Sequence, residues 1–376
     1  MAAVEEIAAG AGISPQAKID AQTELAAQAS TLPRECTFEP DDWAILAGHW
    51  YPVALSRDIT ATPTPATLLD ERLVVYRADG DVVVANDICP HRGVPLSAGK
   101  GESDGTGIRC AYHGLKFGSG GRCLDIPAHP QGKIPLRMHL RSYPVVERYG
   151  LVWTCLRPHH DNVGDPRTTA PIPVAPHWDD DSFQTVTCPA FDVAAFAGRQ
   201  LEGFLDVAHF GFVHTATFAD PANTVVPDYK PVLHEYGFTV DYWSTVANYP
   251  HGTTAPPPDF QWLRQFDVHL PFTATLVVHF PDDGLLSIMN AASPVSARQT
   301  RMFAPIAKNF STDQPVEEIY DFNRRIFEED RAIVEIQKPE NLPLEPRLEV
   351  NIPADRSSVA YRRGLRGLGL SHFFTA

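Results

Sequence analysis

Two short pairs of metal-binding residues constrain this chain more than anything else in it: C-P-H-R-G from Cys89 to Gly93 and C-A-Y-H-G from Cys110 to Gly114. In the first, a thiolate stands two residues before an imidazole; in the second it stands three residues before one. Together they offer two soft and two borderline donors on two loop tips. That set holds a 2Fe-2S cluster when two histidines replace two cysteines on one iron. A tetrahedral structural zinc uses the same atoms, but zinc sites usually pair Cys with Cys. Each histidine is also followed closely by a glycine, Gly93 or Gly114, where the missing Cβ lets backbone N–H groups approach bridging sulfides. The cluster is the preferred assignment of Cys89, His91, Cys110 and His113.

A chain of 376 residues allows two or three domains and a substantial core. Its net charge of −15, with no run of Lys or Arg, argues against nucleic acid and anionic membrane surfaces as partners. The opening M-A-A-V-E-E-I-A-A-G lacks the basic start and apolar block of a secretion signal, and apolar runs stay well short of a membrane span. A soluble, cytoplasmic protein is expected. In that compartment Cys36, Cys123, Cys155 and Cys188 should be thiols rather than disulfides.

Residues 1–42, rich in Ala, Gln and Glu, have the look of a mobile tail or loosely docked helix. From Trp43 the texture changes. R-L-V-V-Y-R and D-V-V-V-A-N flank A-D-G, and S-Y-P-V-V-E-R and L-V-W-T-C-L flank R-Y-G, so two β-hairpins are expected in a small β domain over residues 43–156. Residues 157–178, dense in Pro, Asp and His, form an expected linker in which His159 and His160 are solvated rather than ligating. Over residues 179–376, the segment from Asp192 to His214 predicts one continuous helix. F-T-V-D-Y-W-S-T, D-V-H-L-P-F-T-A-T-L-V-V-H-F and L-L-S-I-M-N-A predict strands of an antiparallel sheet. Pro315 then opens a second long helix with acidic residues in its first turn. The fold class is α+β, with helices and strands segregated.

Asp206, His209 and His214 lie in E-G-F-L-D-V-A-H-F-G-F-V-H. On an ideal helix Asp206 and His209 are separated by about 60°, whereas His214 lies about 140° beyond His209, so both imidazoles reach one ion only if the helix bulges or ends there. Two histidines and one carboxylate leave three positions open on an octahedral iron, as dioxygen and a substrate require. The carboxylate has to come from elsewhere. Asp330 is preferred, on an amphipathic helix where Ile326, Ile333 and Val334 can bury it; Glu328 and Glu329 are the competitors, expected as solvated charges.

With both motifs in view the chain resembles the oxygenase component of the Rieske non-heme iron oxygenases over about residues 43 to 370. That family's C-x-H and C-x-x-H are matched by Cys89, His91, Cys110 and His113, and its D-x-x-H-x-x-x-x-H by Asp206, His209 and His214. Glu329, Asp330 and Glu335 match the E-D-x-x-x-x-E of vanillate and dicamba demethylase-like members, which favours Asp330 as third ligand. Phthalate dioxygenase-like members are similar as well. Where respiratory-chain Rieske proteins carry a second cysteine pair and a serine, this chain has Val94, Tyr112 and Leu115, which implies a potential toward the bottom of the range of about −150 to +300 mV. Two departures stand out. Eighteen residues, Arg92 to Arg109, separate the ligand pairs, implying a longer loop, and Gly203 stands where several relatives have Asn, so any role of that amide is either missing or filled by another residue such as Gln200 or Glu202.

The resemblance implies a Rieske β domain plus a helix-grip catalytic domain with a seven-stranded antiparallel sheet, assembled as a head-to-tail homotrimer. In such a trimer Asp206 would bridge His113 of one subunit's cluster to His209 of the next. The sequence holds no Gly-rich dinucleotide fingerprint and no four-cysteine ferredoxin set, so electrons are expected from a separate NAD(P)H-dependent reductase, with or without a ferredoxin. The implied function is hydroxylation or O-demethylation of a small aromatic substrate with O2 at a mononuclear Fe(II). Cis-dihydroxylation is an alternative. A non-catalytic Rieske electron-transfer or redox-sensing protein is another, distinguished by about two irons per chain rather than about three. The strands between Val240 and Phe303 and the helix segment before His209 are expected to line the pocket, with Phe204, Phe210 and Phe212 divided between pocket and core.

Overall fold

The computed structural model describes residues 32–157, 170–245, 257, 259–345 and 347–371. Residues 1–31 of the expected tail and 158–169 of the expected linker, with His159 and His160, lie outside these. Phe38 and Trp43 are already buried, and helix α1 (Pro40–Leu46) begins between them. The next hundred residues form three small antiparallel sheets. One joins Thr64–Leu68, Glu71–Ala78, Asp81–Asn86 and Ser142–Tyr143; a second joins Lys100–Gly101, Ile108–Arg109, Lys116–Phe117 and Cys123–Asp125; a third joins Tyr51–Leu55, Leu151–Thr154 and Val145–Arg148. Both expected hairpins are present. At the first, Asp79 (φ 54°) and Gly80 (φ 90°) both take positive φ, the two-residue turn whose twist matches its strands. Beneath the second sheet, Tyr76, Leu96, Ile108, Phe117 and Leu140 pack with Cys89, Cys110 and Cys123.

The larger sheet has nine antiparallel strands. Seven run in the order Gln184–Thr187, Pro305–Lys308, Leu285–Ser296, Thr273–His279, Trp262–His269, Gly237–Ser244 and Val232–His234. The other two extend the seven-stranded expectation: Gln299–Phe303 pairs with Leu285–Ser296 and carries Phe191–Val193 on its far side. The segment D-V-H-L-P-F-T-A-T-L-V-V-H-F is two strands, not one, because Pro271 has no N–H for the ladder and the chain turns there between Trp262–His269 and Thr273–His279. Helix α2 (Ala197–Leu205) lies on strand Leu285–Ser296, with the one-turn α3 (Phe210–Val213) after it. The long α4 (Val316–Val334), with Pro315 as its N-cap, and α5 (Arg356–Gly367) both contact α2.

The single helix expected from Asp192 to His214 is therefore broken. Val193 belongs to a strand, and α2 stops at Asp206, whose backbone is extended (φ −75°, ψ 129°). The Asp206 carboxylate accepts a hydrogen bond from the Ala208 N–H at 2.7 Å, a local bond that competes with continuing the helix. Behind this break Glu202 of α2 receives Arg362 of α5 through two bonds of 2.6 and 2.8 Å, and Glu349 receives Arg362 and Arg199 at 2.6 Å each. Such paired, mutually satisfied charges anchor α2 against α5.

Candidate active site

The two cysteine loops share one backbone design. Cys89 N–H bonds the Val94 carbonyl and Gly93 N–H the Cys89 carbonyl; Cys110 N–H bonds the Leu115 carbonyl and Gly114 N–H the Cys110 carbonyl. Gly93 (φ 71°) and Gly114 (φ 69°) close the turns in the left-handed region, where a Cβ is costly. The first loop is braced by Asp87, which accepts from the Ser97 N–H and hydroxyl at 2.7 and 2.6 Å. The second is braced by Arg109, which donates to the Gly114 carbonyl at 2.6 Å and is paired with Glu102 and Asp125. Both braces are side chains outside the two motifs, so the motifs by themselves do not reveal them.

The donors divide two and two. Cys89 and Cys110 are buried side by side, while the His91 and His113 rings lie 4.5 Å apart nearer the surface, with exposed Tyr112 against His113. Among the described residues only His209, His214 and Asp330 bring three donor atoms within 4.8 Å of one another, so the cysteine–histidine set does not converge on one point as a tetrahedral zinc requires. Two cysteines at one side and two histidines at the other fit a two-iron cluster. The buried His91 Nδ1 has no protein partner among the described residues, which suits a ligand atom. Burial, with Cys110 beside it, pushes the Cys89 thiol up to about 11, so a bound cation is what would keep it a thiolate at neutral pH.

The second set assembles where α2 breaks. His209 and His214 cap the two ends of α3, and Asp330 reaches them from α4. His209 Nε2 and His214 Nε2 are 3.0 Å apart, and Asp330 Oδ1 is 3.0 Å from His214 Nε2 and 3.5 Å from His209 Nε2. Burial opposes the His209 cation, yet the Asp206 and Asp330 carboxylates raise it to about 9; burial likewise opposes the Asp330 anion, and the two imidazoles hold it below the usual carboxylate range. Two imidazoles and a carboxylate on one face fit a mononuclear Fe(II). Asp206 Oδ2 lies 3.6 Å from His209 Nδ1 with its side chain 35% exposed, so it faces the opposite edge of that ring from Asp330.

Glu329 is not the solvated charge expected of it. Its Oε2 accepts from the Thr217 hydroxyl at 2.7 Å and lies 2.8 Å from His214 Nδ1. A carboxylate there fixes the ring and turns Nε2 toward Asp330, the arrangement that metal-bound histidines require of their second nitrogen. Ile333 departs from expectation too: it is exposed, and Ile326 and Val334 alone of the three shield the helix face carrying Asp330.

All three donors line one cavity. Its walls are largely apolar, with Phe204, Phe210, Phe218, Leu276, Ile288 and Phe327 among them. Phe212, expected in the pocket or the core, is in neither: it is 71% exposed, because α3 is a single turn rather than the end of a long helix. Gln200 and Asn290 also line the cavity, and the side-chain oxygen of each is buried without a partner among the described residues. Of the two replacements considered opposite Gly203, Gln200 reaches this cavity, whereas Glu202 is engaged by arginines on the other side of α2.

Residues 49–144 match the Rieske 2Fe-2S domain family, and residues 193–370 match the vanillate O-demethylase oxygenase C-terminal domain family. The chain belongs to the Rieske oxygenases. The Rieske match spans both cysteine–histidine pairs and favours the cluster over a structural zinc there. Methylxanthine N1-demethylase NdmA of Pseudomonas putida is 29% identical over 347 residues, spanning 88% of this chain and 92% of that protein. The oxygenase component of dicamba O-demethylase from Stenotrophomonas maltophilia is 36% identical over 178 residues, 44% of this chain and 47% of its own length. The solved structure of NdmA with caffeine matches with a TM-score of 0.73 at 28% identity, over 87% of this chain and 92% of that one. This Rieske oxygenase is thus an α+β oxidoreductase that uses a 2Fe-2S cluster, a mononuclear iron and O2, and depends on a separate reductase for electrons and on a small molecule as substrate. No helix among the described residues is long and apolar enough to cross a membrane.

Proposed function

We propose that the enzyme removes methyl groups from, or hydroxylates, a small planar aromatic substrate held in the cavity beside His209, His214 and Asp330. The observation that carries this is the convergence of those three donors, from two remote segments, on the wall of an apolar cavity. In this reading Cys89, His91, Cys110 and His113 hold the cluster, and His209, His214 and Asp330 hold the iron, which when bound supplies O2 activation driven by cluster electrons. The chain's own groups do the rest. Glu329 accepts a hydrogen bond from His214 Nδ1–H and keeps that ring's Nε2 aimed at the metal position. The aromatic wall excludes bulk water and grips a flat ring, while Gln200 and Asn290 offer hydrogen bonds to its polar edge. Relatives named for N- and O-demethylation support the reaction type.

The same reading makes the protein a head-to-tail homotrimer in which Asp206 links His209 to a neighbour's His113. Support comes from the Asp206 carboxylate, partly exposed behind the His209 ring, and from His113, exposed at the cluster tip. It also places the enzyme in the cytoplasm, where six free cysteines and an NAD(P)H-dependent reductase both belong. Incubation with excess reductase, O2, methylxanthines and methoxybenzoates tests the reaction. Demethylation takes up two electrons and two protons per O2 and releases formaldehyde and water with the demethylated product. A cis-diol that keeps its methyl group would establish dihydroxylation, and about two irons per chain instead of about three, together with the absence of any oxygenated product, would support the electron-transfer alternative.

A further inference from the structure

The cavity at the three donors holds only about 70 Å³, whereas pockets that enclose drug-sized ligands run to some 300–1,000 Å³. A second cavity of about 360 Å³ lies against the N-terminal half of α4, and Asn323 lines both. Helix and sheet each run continuously from one to the other. On α4, Ile319, Asn323 and Ile326 share a face at spacings of four and three residues; Ile319 lines the larger cavity and Ile326 the smaller. On strand Leu285–Ser296, Leu286 and Ile288 share a face by the two-residue period, and they divide the same way. The cavities therefore lie next to each other along the seam between α4 and the sheet, two compartments that share Asn323 as a wall.

The larger compartment has an apolar floor and a polar mouth, where half-buried Gln314 and the exposed Glu318, Asp321 and Arg325 stand. Leu286, Ile306 and Ile319 form a buried floor, and Phe310 and Phe322 stand half-buried at its sides. Its one buried cation, Lys308, already donates to the Phe310 and Ser311 carbonyls at 3.0 and 2.6 Å. The Asn323 amide donates to the Ile319 carbonyl at 2.8 Å, which draws the side chain back along its own helix.

We propose that the substrate site runs past Asn323 into this compartment, so that the enzyme takes an elongated molecule: a ring at the metal end carrying an uncharged apolar arm of several carbons. The metal end rests on the oxygenase reading; the arm's compartment does not. The test is equilibrium binding to the full-length holoprotein without reductase, using N-phenyl-1-naphthylamine as fluorescent probe and 4-n-alkylanisoles, methyl to hexyl, as competitors. Affinity should climb about threefold to fourfold with each added methylene until the compartment is full. Ile306→Trp, which fills the floor, should flatten that climb while leaving 4-methylanisole bound as before; Phe322→Trp, at the half-buried side, repeats the test with less demand on folding. Failure of the wild-type protein to bind the naphthylamine, or a chain-length dependence that is absent or identical in wild type and variants, would overturn the proposal. No turnover is read, so an error in the assigned reaction leaves the outcome unchanged.

Discussion

Cys89 and Cys110 sit in two loops that repeat the same backbone hydrogen bonds, and all four donors of that set fall within one short stretch of chain. His209, His214 and Asp330 share no such local scaffold. They meet only because α2 breaks at Asp206 and because α4, much later in the sequence, lies across the break. The first site is organised by backbone turns and braced by Asp87 and Arg109; the second is organised by side chains, with Glu329 and Asp206 holding the two imidazoles from behind. A locally closed site should lose or keep its metals as a unit. A long-range site should fail in degrees, depending on which supporting side chain is removed.

The largest effect is expected at the local site. His91→Ala removes one of the four proposed cluster ligands and should bleach the visible absorption and abolish reductase-coupled turnover, yet leave the mononuclear site able to bind one Fe(II), read by metal analysis and EPR. Retention of the cluster signal would remove His91 from the set. Next comes Asp206→Asn, which keeps shape and removes charge. Both centres should stay loaded, while a pre-reduced protein mixed with O2 and substrate in a stopped-flow instrument should keep its cluster reduced, with turnover down by about two orders of magnitude as for loss of a group bridging two ligand shells. Reoxidation at the wild-type rate would reduce Asp206 to a helix terminator.

A smaller effect tests the frame rather than the centres. Burial opposes the Glu349 anion, but Arg199 and Arg362 hold its carboxyl below its ordinary value of 4.5. A carboxyl depressed in the folded state contributes stability that is present above about pH 4.5 and lost as pH falls through its lower folded value. Glu349→Gln should therefore cost about 1–3 kcal/mol in urea unfolding at pH 7, and less as the pH drops below that range. An equal cost at all pH values would mean that packing, not charge, is lost.

The same contrast governs what the amino-acid sequence reveals. Cys89, His91, Cys110 and His113 are legible because their chemistry is closed within two turns, each with its own glycine. The hairpin at Asp79 and Gly80 is legible for the same reason. Glu329 is not, because its role is set by where His214 Nδ1 points, and that follows from the register of α4 against α3. The helix break at Asp206 is hidden because apolar periodicity continues across it; only the competing bond to the Ala208 N–H ends α2. Asp330 was within reach through the E-D-x-x-x-x-E resemblance, whereas the second compartment beyond Asn323 depends on α4 and strand Leu285–Ser296 lying side by side.

In the proposed reading two neighbouring acids on α4 divide the work: Asp330 would be the ligand and Glu329 the group that orients His214. Anaerobic iron determination combined with EPR on wild type, Asp330→Ala and Glu329→Ala tests it most directly. Wild type should hold about three irons per chain, Asp330→Ala about two with the reduced-cluster signal intact, and Glu329→Ala should still fill the third position but with about 10–100-fold weaker affinity. If Glu329→Ala loses the third iron outright while Asp330→Ala keeps it, the ligand is Glu329 and the arrangement described for α4 is wrong.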